Sequence, residues 1–302
     1  MGITAIVAAL LLEQWRPLAN RKAVAAALAG WADWLENSFN AGEARHGTIA
    51  WTVAALVPVA AAAALYAVLL WINPLAALLL DVACLYLTLG FRQFSHYFTG
   101  IQAAIRDGNV DQARELLGSW RGEPAAQRSR EEVIRLAIEE AIVASHRHVF
   151  GVLFWFVLLP GPSGAILYRM ACFLDRRWGG KGEFGRFAAR VRNLLEWPAV
   201  RLTAAAFAVV GDFEDAVYCW RTQASNWPDP ALGVVLASGA GAMGVRLGMP
   251  ILDEGVVVDR PELGLGEPAD TGHLDSTVGL VWRALVMWLL LLLLVSLAGA
   301  AS

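Results

Sequence analysis

Charged side chains are scarce in this chain: 17% of its 302 residues are Asp, Glu, Lys or Arg, against 57% hydrophobic. Ordinary globular domains carry about 25% charged residues. The 24 basic and 27 acidic residues leave a net charge of −3, and no basic stripe could neutralise several phosphates, so a nucleic-acid partner is excluded. Cysteine is also thin. Cys84, Cys172 and Cys219 lie far apart, no pair has metal-ligand or redox spacing, and all three read as small core residues. No glycine-rich loop ends in Gly-Lys-Ser/Thr, which removes a P-loop. Gly161-Pro162-Ser163-Gly164 lacks the strand–turn–helix setting of a nucleophile elbow. The first apolar run, 3–12, has no basic start or small-residue cleavage site and is too short to span a membrane. It reads as a partly buried amphipathic or interfacial helix.

Long apolar runs are what the chain has instead. Residues 49–72 contain no charge, and neither do residues 284–300. A bilayer core is about 30 Å thick, so about 20 apolar helical residues cross it. Only helices that bond their own backbone, or closed barrels, are stable there. Mean hydropathy is +0.50. The expected class is therefore all-α: a polytopic membrane helical bundle with a cytoplasmic helical layer and one broken or re-entrant element.

Residues 13–46 are mixed and helical in pattern, with Trp15, Trp31 and Trp34 suited to an interface. Asn73-Pro74 turns the chain after 49–72, because the residue before proline is pushed out of the α region. Residues 75–91 return as the second arm of a hairpin. Residues 92–147 read as soluble and helical, with a helix–turn–helix around Asp107-Gly108-Asn109. A capping box at Ser129–Glu132 opens a further helix to about 145. The apolar stretch 149–159 is short and meets Pro160-Gly161-Pro162, followed by another short run to 174, the pattern of a broken or re-entrant element. Residues 176–201 carry six arginines, and the positive-inside bias places them, with 92–147, in the cytoplasm. Residues 202–210 and 232–247 are rich in small residues and suit close packing inside the bundle. Residues 252–276 form an acidic Gly/Pro loop that reads as solvated surface.

The expected organisation is one membrane domain over 1–302. Within it lie amphipathic N-terminal helices at 1–48, a transmembrane hairpin at 49–91 and cytoplasmic helices at 92–148. The re-entrant or bundle core and loops occupy 149–279, and a C-terminal transmembrane helix 280–302. An intramembrane acid, Asp81, and a broken element are also marks of a transporter, but the spans are few and no inverted repeat is evident.

Ordered words along the chain carry a resemblance. They are Leu153-Phe154-Trp155, Gly161-Pro162-Ser163-Gly164-Ala165-Ile166-Leu167-Tyr168-Arg169, Arg201-Leu202-Thr203-Ala204 and Gly244-Val245-Arg246-Leu247-Gly248. Their order and spacing resemble the family of integral membrane proteins that unites adenosylcobinamide-phosphate synthase, the CobD/CbiB type, with AmpE. The resemblance implies two functional types. The synthases use ATP and magnesium to join cobyric acid to an aminopropanol unit late in cobalamin assembly. AmpE-type proteins are inner-membrane components linked to β-lactamase induction and cell-wall signalling.

Several synthase positions are changed here. The Asn and Asp before the Phe-Trp word become Ala144 and Arg147, and the paired aspartates before the Arg-Leu-Thr word become Arg192 and Asn193. The synthases' Gly-Arg-Asp reads Gly122-Glu123-Pro124, and their Ser-Pro-Asn reads Asp229-Pro230-Ala231. Arginine in place of an anionic metal ligand inverts the local charge. The first expectation is therefore a regulatory or envelope-associated inner-membrane protein without the synthase metal site. Its candidate polar cavity comprises Asp81, Arg92, His96, Glu139, Arg147, Asp175, Glu196, Arg201 and Arg246. No cofactor or metal is expected. The partners would be the lipid bilayer, an anionic small molecule or lipid headgroup, and another membrane protein. The alternative is a divergent adenosylcobinamide-phosphate synthase using ATP and magnesium, its metal site rebuilt from Glu13, Glu139, Asp175 and Glu196. Each of these residues also has a plainer reading. Arg147, between His146 and His148, can snorkel at a helix end, and buried acids and arginines can simply pair to hold helices together.

Overall fold

A computed structural model of the chain describes residues 2–15, 21–40, 42–253 and 256–301. Its helices are α1 (Gly2–Trp15), α2 (Arg21–Phe39), α3 (Ala44–Ile72), α4 (Pro74–Thr88), α5 (Phe91–Arg106) and α6 (Val110–Arg121). They continue with α7 (Arg130–Ser145), α8 (Gly151–Leu158), α9 (Ser163–Trp178), α10 (Gly182–Val210), α11 (Phe213–Gln223), α12 (Pro230–Met243) and α13 (Thr271–Ala301). Four short strands interrupt this pattern: β1 (Val245–Arg246), β2 (Ile251–Asp253), β3 (Val256–Val258) and β4 (Glu267–Pro268). β1 pairs in parallel with β4, and β2 antiparallel with β3. The architecture is an all-α membrane helical bundle. Among the described residues three helical runs are long and apolar enough to cross a bilayer: Ala44–Ile72, Arg130–Leu158 and Thr271–Gly299. Within the most apolar 18-residue stretch of each, only 11% of the first and 22% of the third is buried within the protein, against 67% of the second. The outer two therefore offer apolar flanks to lipid, whereas the middle one is a core helix.

The chain folds as two compact units, Met1–Gly90 with Gly151–Ala199, and Phe91–Phe150 with Val200–Ser302. In the first, α3 and α4 form a tight hairpin. Asn73 is extended and its side chain accepts the Leu75 N–H at 2.9 Å, with Pro74 at the first helical position. Asparagine cap and N1 proline each favour that start. α3 presents Gly47, Ala50, Trp51, Ala54 and Ala55, one helical stripe of mostly small residues, to its neighbours. α1 packs on α4 and buries Ala5, Ile6, Ala9 and Glu13. α8 and α9 turn on Pro160-Gly161-Pro162, where Gly161 has φ +59° and a Cβ would lie 2.6 Å from the Tyr66 ring. Only glycine fits that combination.

In the second unit α7 is central, touching α5, α6, α12 and α13. Its start is the capping box expected from the sequence: the Ser129 hydroxyl accepts the Glu132 N–H at 3.1 Å, and the Glu132 carboxylate accepts the Ser129 N–H at 2.7 Å. α5 and α6 turn at Gly108 (φ +75°), and the Asn109 side chain caps α6. α12 is buried along almost its whole length, and its small residues let α11 lie against it. The Ser238 hydroxyl donates to the Ala204 carbonyl at 2.8 Å, tying α12 to α10.

Several boundaries differ from those read in the sequence. The helix from Arg130 does not end near 145. It continues through a π-helical turn, His146–Phe150, into α8, making one run of 29 residues. The apolar piece before Pro160 is therefore the end of a long helix and not a half-length element. Charges at 146–148 do not break a helix when its neighbours accept them. Residues 182–210 likewise form one helix despite Pro198, which removes a single backbone bond. The loop expected at 252–276 holds short strand pairs and the start of α13, which begins nine residues before the expected 280. Glu254, within that loop, lies outside the described residues.

Candidate functional site

In the second unit a polar cluster forms where α7 meets the segments 245–250 and 258–263. Glu139 is 4% exposed, and two partners engage its carboxylate. Its Oε1 accepts the Gly248 N–H at 2.9 Å, and its Oε2 pairs with Arg260. Gly248 itself has φ +71°, and a Cβ there would lie 1.9 Å from the Pro261 carbonyl oxygen, so the two segments close up only on glycine. Leu247 and Leu263 exchange backbone bonds at 2.7 and 3.0 Å, fixing the register beside it. The Arg260 guanidinium lies 5.0 Å over the Trp227 ring. One turn before Glu139, Arg135 donates from Nη2 to the Pro250 carbonyl at 2.9 Å. Arg246 reaches Glu262 at 3.7 Å. Glu139 thus pins two segments far away in sequence to the face of one helix, with Arg260 on its carboxylate and Arg135 one turn away.

Deeper on the same run, His146 is fully buried and its Nδ1 meets the Thr203 hydroxyl at 2.9 Å. Arg147 and Arg201 are half-buried, the first on the π-helical turn and the second on α10. π-helical turns recur at functional sites. Arg92 and His96 are exposed on α5, on one face at i, i+4 as expected.

The first unit holds its own buried charges. Arg192 pairs with Asp175 at 2.7 Å through Nε and with Glu196 through Nη1; Glu196 is completely buried. Of the residues expected in one cavity, these two acids are brought together, by an arginine. Asp81 stands on α4, 2% exposed, and its Oδ1 has no hydrogen-bond partner among the described residues. The expected set is thus distributed over both units: Asp81, Asp175 and Glu196 in the first, and Arg92, His96, Glu139, Arg147, Arg201 and Arg246 in the second.

The metal site assembled from Glu13, Glu139, Asp175 and Glu196 is not gathered. No group of three or more His, Cys, Asp or Glu side chains forms a metal-holding cluster among the described residues. Glu139 is taken up by Arg260 and a backbone amide, and Asp175 and Glu196 by Arg192. Cys219 is buried, and burial pushes its thiol up to about 11, so at neutral pH it is not a nucleophile. Sequence reasoning missed Arg260, Trp227 and Arg135. Arg260 pairs across 121 positions and sits in a loop whose composition reads as solvated. That loop is structural at its far end too, where Asp275 binds Gln102 at 2.8 Å and Arg106 at 2.7 Å.

Comparison with known proteins bears on the whole length. The chain is 35% identical over 296 residues to the cobalamin biosynthesis protein CobD of Stutzerimonas stutzeri, covering 95% of this chain and 96% of that one. It is 36% identical over 219 residues to the protein of the same name from Chromobacterium violaceum, covering 71% and 70%. To that of Mycobacterium tuberculosis it is 32% identical over 179 residues, covering 56% and 57%. No solved structure matches the chain. Residues 6–281 match the family described as CobD/Cbib protein. This membrane protein belongs to the CobD/Cbib family.

Proposed function

We propose that the chain is a cobalamin-biosynthesis enzyme of the adenosylcobinamide-phosphate synthase type, joining cobyric acid to an aminopropanol unit at the expense of ATP. The observation that carries this reading is its end-to-end similarity, 35% over 95% of the chain, to a relative named for cobalamin biosynthesis. The same names favour the synthase over the regulatory role expected first, and a signalling role has no support.

The changed polar positions are compatible with this. Arg192, which stands where the synthases carry an aspartate, sits between Asp175 and Glu196 as the centre of a buried charge triad. Glu139, Asp175 and Glu196 do not suit a magnesium resident on the protein, since each is paired with an arginine. Magnesium usually binds through substrate phosphates with one or two carboxylates, and here it enters with ATP as part of the substrate. The chain's own contribution is to hold anionic substrates beside the membrane. Its arginine-rich segments, 92–147 and 176–201, face the cytoplasm of a multi-pass inner-membrane protein in this reading, by the positive-inside bias.

Growth tests it. A bacterium lacking its own synthase, supplied with cobyric acid and made dependent on cobalamin, grows when it carries this chain. The same cells supplied with cobinamide grow with or without it. Failure on cobyric acid, with the protein present in the membrane and growth on cobinamide intact, would refute the synthase reading.

A further inference from the structure

The C-terminal span α13 carries a cation at the edge of its apolar run. Residues 284–300 hold no charge, and at 1.5 Å per residue they extend about 25 Å, close to the roughly 30 Å of a bilayer core. Arg283 stands immediately before them, at the level where a helix passes from hydrocarbon to headgroups. Long basic side chains at that level reach out to the interface. Trp282 beside it is of the residue type that anchors helices there. Arg283 is exposed, and its Nε donates to the Gly279 carbonyl at 3.2 Å. No carboxylate pairs with it among the described residues, and neither Nη has a partner among them. Asp212, two residues past the end of α10, caps α11 instead, accepting the Asp215 N–H at 3.0 Å.

A groove of about 540 Å³ opens beside this arginine, with Arg283 and Trp282 in its wall. That volume lies in the range of about 300–1,000 Å³ usual for small-molecule sites. The rest of the lining is apolar: Val210 from the end of α10, and Val286, Met287, Leu290 and Leu291 from α13. The last four follow Arg283 at i+3, i+4, i+7 and i+8, so they form one stripe. It runs about 12 Å from the guanidinium into the uncharged span. We propose that the groove binds one anionic phospholipid, its headgroup phosphate on Arg283 and an acyl chain along the stripe from Val286 to Leu291. Guanidinium donors match phosphate oxygens in charge and spacing. A zwitterionic lipid carries its own cation beside the phosphate, so the net charge favours an anionic one. A second copy of the chain suits the groove less, because a two-fold contact on this stripe brings the two Arg283 side chains to the same level, like charge against like. The site needs only the membrane setting of α13 and none of the chemistry proposed above. Growth on cobyric acid and lipid binding therefore succeed or fail separately.

The test is native mass spectrometry of the full chain in detergent, offered equal amounts of phosphatidylglycerol and phosphatidylcholine with the same acyl chains. One phosphatidylglycerol is expected to be retained in preference. Arg283→Gln should lower that preference about fivefold, the factor one cation contributes at an anionic lipid surface, and Arg283→Lys should keep most of it. Leu290→Trp fills the groove without touching the charge and should abolish the retained lipid. Leu65→Trp, on the exposed flank of α3, should change nothing. Arg283, Leu290 and Leu65 are all exposed, so these variants are expected to keep the wild-type thermal midpoint. If Leu290→Trp nevertheless unfolds, the contrast between Arg283→Gln and Arg283→Lys decides. Equal retention of the two lipids, or a preference unchanged in Arg283→Gln, overturns the site. So does a dimer that Leu290→Trp dissociates, which would give the groove to a second copy of the chain.

Discussion

Glu139 illustrates what a single buried carboxylate does in a mostly apolar protein. It sits in the protein interior with Arg260 and the Gly248 amide as its compensation. Truncating one member of such a pair leaves the other charge buried, which costs about 3–5 kcal/mol. Glu139→Ala is therefore expected to lower the thermal unfolding midpoint markedly. Glu139→Gln keeps an acceptor for Gly248 and is expected to lose less. Equal losses in the two variants would contradict this account of the pair. At the surface the scale is smaller. Arg177 beside Asp33 holds that carboxyl below its ordinary value of 3.8. A depressed carboxylate contributes in full above the unfolded value and loses its contribution as pH falls through the lowered one. Asp33→Asn should therefore change stability at neutral pH but not at pH values well below 3.8, where wild type and variant converge.

At the scale of elements, the chain keeps helices going across residues that usually end them. The run Arg130–Leu158 passes through His146-Arg147-His148 because the His146 ring finds the Thr203 hydroxyl and the π-helical turn takes up the local change in pitch. Thr203→Val is expected to cost about 1 kcal/mol, read as a lower midpoint, since it removes one side of a buried hydrogen bond. The break at Pro160-Gly161-Pro162 behaves oppositely. Gly161→Ala should destabilise by about 1–2 kcal/mol from the left-handed backbone alone, and by more because the Tyr66 ring must move. These elements show what sequence makes visible. Asn73-Pro74, the Ser129–Glu132 box and the Gly108 turn are local chemistry, and each does in the fold what its residues imply. Continuity through 146–148 and past Pro198 depends on neighbours from elsewhere in the chain, so composition misplaces those ends. The same holds for the site. Arg246 lies in one of the family words, whereas Arg260 and Trp227 reach the cluster only through folding.

For the whole molecule, length and hydropathy determine the setting and similarity determines the family. α3 and α13 are long, apolar and little covered by the rest of the protein, as lipid-facing helices should be. Lipid-phase spin labels or photolabels are expected to reach Leu56, Val68, Leu290 and Leu294, all exposed, and to miss Ala50 and Leu285, which are buried. In the function proposed above, the charge-rich segments face the side where ATP and corrinoid substrates are found. That assignment gives the central claim its most direct measurement. Membranes containing this chain are incubated with cobyric acid, ATP with magnesium, and aminopropanol, free or as its phosphate, and the corrinoids are followed by mass spectrometry. The account predicts conversion of cobyric acid to the aminopropanol amide, dependent on both ATP and the chain. Unchanged cobyric acid, with the folded protein shown to be present, would contradict it.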